Sequence, residues 1–117
     1  MSGARAAVRQ AGRVDADSRE RPVDLVLDLV CDIPPGRVST YGELAALASD
    51  LAPTPVTARM VGRMLSGAER DVPWWRVVGH DGRLPPGLEA SARDRLASEG
   101  CPMRGSRADV RRARWPG

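Results

Sequence analysis

Few side chains in this 117-residue sequence are equipped for covalent chemistry: there is one histidine, His80, and two cysteines, Cys31 and Cys101. Nucleophilic catalysis generally sets an activated Ser, Cys or Thr against a histidine base, and His80 adjoins Asp81-Gly82, a turn pair that favours a surface position. Cys31 falls within the apolar spacing of a helix, where a free thiol behaves as a small buried hydrophobe. Cys101 follows a helix terminator in a segment expected to be flexible, and neither thiol has an activating neighbour in sequence. These residues cannot complete a four-ligand zinc site without carboxylates, and no glycine-rich phosphate loop, H-E-x-x-H or C-x-x-C occurs. The expectation is no catalytic residue, no cofactor and no metal.

Binding chemistry is better supplied. All 18 basic residues are arginine, whose fork fits phosphate oxygens better than an ammonium does. Arg59 and Arg63 stand four apart, and Pro73-Trp74-Trp75-Arg76 places aromatic faces beside a guanidinium, a pairing that holds a phosphate backbone while stacking a base. A tryptophan pair is also an ordinary core element, and both readings stand at this point.

The elements that must position these residues are mostly helical. Pro22 to Ile33 carries Val23, Val26, Leu27 and Val30 on one face, with Asp24, Asp28 and Asp32 opposite, and Pro34-Pro35-Gly36 stops it. Thr40-Tyr41-Gly42-Glu43 has capping-box spacing and opens a second helix ending near Asp50. Thr54 and Pro55 are expected to begin a third, with Val56, Met60, Val61, Met64 and Leu65 on its apolar face, Thr57, Arg59 and Arg63 opposite, and Gly67 as terminator. Two short capped helices joined by a tight turn describe a helix-turn-helix, or equally a helical hairpin with solvated arginines. Residues 72–84 read as a short extended run with a turn at Asp81-Gly82. A last clear helix over Leu88 to Ser98 sets Leu88, Ala92 and Leu96 at fourfold spacing, with Glu89 and Arg93 paired across one turn and Gly100 ending it. Ser106 and Asp109 are spaced to cap one or two further turns.

The length fits one domain and no separate cofactor domain. Residues 1–21 hold hardly any large apolar side chain and are expected to form a disordered tail, residues 22–100 the folded domain, and residues 101–117 a basic C-terminal extension. Basic excess gathers at the two ends: +2 over residues 1–22 and +4 over 83–117, against −3 between them. No stretch approaches the roughly 18 apolar residues of a membrane span, and the first twenty residues lack a signal peptide's apolar block, so a cytoplasmic, nucleoid-associated protein without membrane contact is expected.

In this frame Ile33-Pro34-Pro35-Gly36-Arg37-Val38-Ser39-Thr40-Tyr41-Gly42-Glu43-Leu44-Ala45 resembles the start of the DNA-binding domain of O6-alkylguanine-DNA alkyltransferases. Thr57-Ala58-Arg59-Met60-Val61-Gly62 is similar to that family's recognition helix, and Val72-Pro73-Trp74-Trp75-Arg76-Val77-Val78 to its active-site segment, proline-cysteine-histidine-arginine-valine. The likeness spans about residues 23 to 100. Trp74 stands where the alkyl-accepting cysteine belongs, the mark of the alkyltransferase-like proteins, which bind alkylated guanine without removing the alkyl group. Trp75 replaces the motif histidine, which most of that group keep, and the loop from Gly82 to Leu88 is shorter than in better-matched relatives.

The resemblance implies a mainly α, winged-helix-like helix-turn-helix domain with a short extended segment, bound as a monomer in the minor groove, where base-sequence readout is weak. It places Thr40, Tyr41, Thr57, Ala58, Arg59 and Arg63 along the DNA, with Tyr41 on the target phosphate and Arg59 as the finger entering the stack. Tyr41, Trp74, Trp75 and Val77 would line the lesion pocket, and Arg76 would be structural. The implied function is non-enzymatic recognition of O6-alkylguanine in duplex DNA by nucleotide flipping, flagging damage for nucleotide excision repair proteins. Two alternatives remain open on sequence: a dimeric helix-turn-helix transcription regulator, and an alkyltransferase that uses Cys31 or Cys101 as acceptor.

Overall fold

Proline at a first helical position gives up no hydrogen bond, and in the computed structural model, which describes residues 21–117, helix α1 runs Pro22–Asp32. The tail expected over residues 1–21 lies outside the described residues apart from Arg21, which pairs with Asp24 at 3.1 Å. Val26, Leu27 and Val30 are buried as their spacing requires. Ile33, held extended by the following Pro34, ends the helix. Cys31 is a correction to the sequence reading: it is exposed, because it lies off the stripe of Val26, Leu27 and Val30 on the side where Arg70 approaches it at 3.7 Å.

The short strand β1 (Ser39–Thr40) leads into α2 (Tyr41–Leu51), and the capping box at their junction forms in full. The Glu43 N–H donates to Thr40 Oγ1 at 3.0 Å and the Thr40 N–H to Glu43 Oε1 at 3.2 Å. Helix α3 is Ala58–Ser66, capped by Thr57 and ended by Gly67. Its start falls three residues later than Thr54-Pro55 suggested, because the Ser49 hydroxyl donates to the Val56 carbonyl (3.0 Å) and accepts from the Val56 N–H (2.8 Å). That pair holds Val56, which is buried, in the turn between the two helices of the helix-turn-helix.

Residues 72–84 also differ from expectation. Instead of a continuous extended run, Trp74–Arg76 form a 3-10 turn, and only Val77–Val78 extend, as strand β2. β2 pairs in parallel with β1 in the register Ser39 to Val77 and Thr40 to Val78. Alternation along β2 sends Val77 into one core with α1, α2 and α3, and Val78 into a second with Val38, Leu84, Ala92 and Leu96. Trp74 packs against both cores.

Helix α4 is Glu89–Ser98, with Ala92 and Leu96 fully buried. Leu88 is 51% exposed, since as N-cap it precedes the helical stripe. Arg93 donates to the Gly105 carbonyl rather than pairing with Glu89. Beyond Gly100 the chain makes an antiparallel hairpin, β3 (Met103–Arg104) and β4 (Arg107–Ala108), so Ser106 sits in its turn and Asp109 alone caps the final turn, α5 (Val110–Ala113). Cys101 is buried in the second core, not in a flexible segment, and burial pushes its thiol pKa up. The chain end returns to β1: Val38 bridges Arg114, and the Trp115 N–H donates to the Val38 carbonyl at 2.8 Å. Among the described residues no helix is long and apolar enough to cross a membrane.

Gly82 anchors this return. At φ +86 it accepts from the Ala108 N–H at 2.9 Å, and a Cβ there would lie 2.1 Å from the Ala108 carbonyl oxygen. Gly82→Ala is therefore expected to lower stability by more than about 2 kcal/mol, since left-handed strain alone costs about 1–3 kcal/mol. Thermal unfolding followed by circular dichroism measures it, with Gly87→Ala, where a Cβ meets nothing within 4 Å, as the milder control.

Candidate nucleic-acid interface and lesion cleft

Capping fixes where α2 and α3 begin, and those beginnings carry residues of the site. Tyr41 is the first residue of α2, Ala58 and Arg59 the first two of α3, and Arg63 follows one turn later. Together with Gly62, Leu65, Ser66, Trp74, Pro85, Pro86 and Leu88 they line an open cleft of about 1000 Å³. Its lining is largely apolar and includes no carboxylate and no cysteine. A Cβ on Gly62 would meet nothing within 4 Å, so the helix surface is bare at that point.

The structure thus brings Tyr41, Ala58, Arg59, Arg63 and Trp74 to one place. Arg59 and Arg63 are exposed, and among the described residues neither has an internal partner. By contrast Arg76, Arg107 and Arg114 are bound to Glu99, Asp81 and Glu43. Unpaired guanidinium groups at the mouth of an apolar cleft suit phosphate contact. Tyr41 is half-buried, and burial raises its phenol pKa, which keeps it a neutral hydrogen-bonding group.

The remaining site residues named from sequence lie elsewhere. Thr40 is buried with its hydroxyl committed to the α2 cap, and the exposed Thr57 accepts from the Met60 N–H as the α3 cap. Val77 is fully buried in the first core, because strand alternation turns it inward. Trp75 lies behind Trp74: its Nε1–H donates to Glu99 Oε2 at 2.9 Å, and it borders a second cavity of about 660 Å³ rather than the cleft. Neither Cys31 nor Cys101 lines the cleft. Sequence reasoning had not assigned Leu65, Pro85, Pro86 and Leu88 to the site. The usable signal was Leu88 directly after Pro85-Pro86-Gly87, a leucine at the loop end that the fourfold spacing with Ala92 and Leu96 had assigned to the helix stripe instead.

One ion pair holds the turn that presents Trp74. Arg76 forks onto Glu99 through Nε to Oε1 (3.1 Å) and Nη2 to Oε2 (2.6 Å), and its Nη1 donates to the Ile33 carbonyl at 2.9 Å. The Gly36 N–H also donates to Glu99 Oε1 at 3.1 Å. Burial by itself would push the Glu99 carboxyl up, but the donors Arg76, Trp75 and Gly36 and the Arg76 charge together hold it below the ordinary glutamate range. A depressed folded pKa stabilises the fold at neutral pH, and that contribution is lost as pH falls below the ordinary carboxyl range and through the folded value.

Residues 23–101 match the family model of the 6-O-methylguanine DNA methyltransferase DNA-binding domain. The chain is 40% identical over 81 residues to alkyltransferase-like protein 1 of Schizosaccharomyces pombe, covering 64% of this chain and 71% of that protein. It is 38% identical over 96 residues to the DNA base-flipping protein of Escherichia coli, covering 77% of this chain and 70% of that protein. Its fold is similar to the crystal structure of S. pombe Atl1 in complex with damaged DNA containing O6-carboxymethylguanine. The TM-score is 0.68 at 30% identity, over 91% of this chain and all of that one.

Arg76 is only 13% exposed, so Glu99→Ala, which removes its carboxylate partner, is expected to cost about 3 kcal/mol of stability at pH 7. Urea titrations from pH 7 to pH 3 check both the size and the sign: the gap between wild type and Glu99→Gln narrows as the pH falls.

Proposed function

This chain belongs to the family of the 6-O-methylguanine DNA methyltransferase DNA-binding domain, as an alkyltransferase-like homologue, and on that premise we propose that it senses O6-alkylguanine in duplex DNA without repairing it. The carrying observation is Trp74 standing where the acceptor cysteine of the resembling motif belongs, as one wall of an apolar cleft whose mouth bears Arg59, which has no partner among the described residues. A flipped guanine stacks on or beside the indole, and the O6-alkyl group meets Leu65, Pro85, Pro86 and Leu88.

The magnitudes are compatible. Extruding a base costs a few kcal/mol, least for a poorly paired one. Aromatic stacking returns about 1–3 kcal/mol, each alkyl methylene buried adds about 0.8 kcal/mol, and Arg59 filling the vacated stack limits the remaining loss. Affinity should rise with alkyl size until the cleft is full. Because no thiol lines the cleft, the alkyl group stays on the base. Removal then falls to other proteins, which agrees with the nucleotide excision repair that the family resemblance implies. The protein acts in this reading as a monomer on chromosomal DNA.

Fluorescence anisotropy on one short duplex carrying guanine or O6-methylguanine at a single position tests this. The modified duplex is expected to bind at least about tenfold tighter, the 1.4 kcal/mol that about 0.8 kcal/mol from the one buried methyl group together with easier flipping provides. Arg59→Ala should erase most of that preference. Equal affinity for both duplexes would sink the reading, and a covalent alkyl gain on Cys31 or Cys101 by mass spectrometry would replace it with the enzyme alternative.

A further inference from the structure

Trp75 lies outside the cleft, yet its contacts converge on the residue that forms the cleft wall. The two indoles meet edge to face, with centroids 5.7 Å apart and planes at 88°. That arrangement sets the positive ring edge of one against the negative face of the other. The Arg95 guanidinium caps both rings, 4.6 Å from the Trp75 centroid and 5.8 Å from that of Trp74. Arg95 sits exposed in the last turn of α4, and among the described residues its guanidinium has no carboxylate partner and lies against these two ring faces. Trp75 is immobilised in turn by its hydrogen bond to Glu99 and by Arg76, 5.4 Å from its centroid.

Trp74 separates two hollows, the cleft of about 1000 Å³ in front and the cavity of about 660 Å³ behind. An indole between two open spaces swings unless something backs it, and here Trp75 and Arg95 stand on the rear side, both lining the second cavity. We propose that Trp75 and Arg95 are positioning residues that lock the Trp74 indole, fix the depth of the cleft, and so set the size of guanine adduct it accepts. This inference rests on the reading of the cleft as a lesion pocket. With Arg95 in place the wall is preorganised for a small O6 substituent. Without it, Trp74 recedes into the rear cavity, weakening stacking on small adducts and admitting larger ones.

Arg95→Ala removes an exposed side chain, and its thermal midpoint should stay close to wild type. Affinities are measured for duplexes carrying guanine, O6-methylguanine or O6-benzylguanine. The ratio of benzyl to methyl affinity is expected to rise about three- to fivefold in Arg95→Ala, the scale of one cation–π contact, with binding to the unmodified duplex unchanged. Arg95→Lys, which keeps a cation, should restore most of the wild-type ratio. An unchanged ratio overturns the proposal, and so does an equal loss on all three duplexes, which would make Arg95 a phosphate contact. If wild type itself shows no lesion preference, the lesion-pocket reading fails separately. The exciton signal of the Trp74–Trp75 pair in circular dichroism of the free protein then decides the positioning role: loss in Arg95→Ala supports it and an unaltered signal overturns it.

Discussion

The Glu99 carboxylate is the point on which the architecture turns. It sits at the C-cap of α4 and accepts from Arg76, Trp75 and the Gly36 N–H, so three segments far apart in sequence meet on one group. Taking two charges out of water is costly unless the geometry is good and the remaining lone pairs are used. Here the bidentate fork and two further donors meet that requirement. Gly36 takes part because at φ +84 it brings its N–H within reach, and a Cβ there would lie 3.0 Å from the Glu99 carbonyl oxygen.

What that carboxylate holds is the 3-10 turn Trp74–Arg76, and the turn determines which way each tryptophan faces. Strand β2 begins at the next residue and divides its two valines between the two cores. Trp74 is packed by both cores at its base and stands at the cleft, whereas Trp75 is turned back toward α4. Adjacent residues of one type therefore have different work: one forms a surface, the other backs it.

Arginine usage follows the same division. Arg76, Arg107 and Arg114 are engaged with carboxylates and tie loops and termini to the domain, Arg95 is engaged with aromatic faces, and Arg59 and Arg63 project beside the cleft without partners among the described residues. A net charge of +3 does not reveal this, since the useful quantity for a phosphate backbone is the unpaired charge on one face. The pattern accords with binding DNA through its backbone and reading it by what enters the cleft.

Much of the fold was legible in the sequence because its signals are local. Helix α1, the Thr40–Glu43 capping box, the Gly67 and Gly100 stops and the turn at Asp81-Gly82 depend on residues within one turn of one another, and each is found where the spacing puts it. Tyr41, Arg59, Arg63 and Trp74 were also picked out from motifs and meet in one cleft. The late start of α3, the exposure of Cys31, the burial of Cys101 and the rearward placing of Trp75 were not legible. Ser49 holds Val56 from across the interhelical turn and Cys31 lies off the buried stripe of its helix, while distant partners decide the other two: the second core for Cys101, Glu99 and Arg95 for Trp75. The sequence by itself determined the helices, the tryptophan at the acceptor position of the motif, and the arginines and tyrosine that line the cleft. Only the tertiary structure decided which tryptophan faces the cleft and which arginines are taken up by carboxylates, because burial and charge pairing are set by segments tens of residues apart that meet only when the chain has folded.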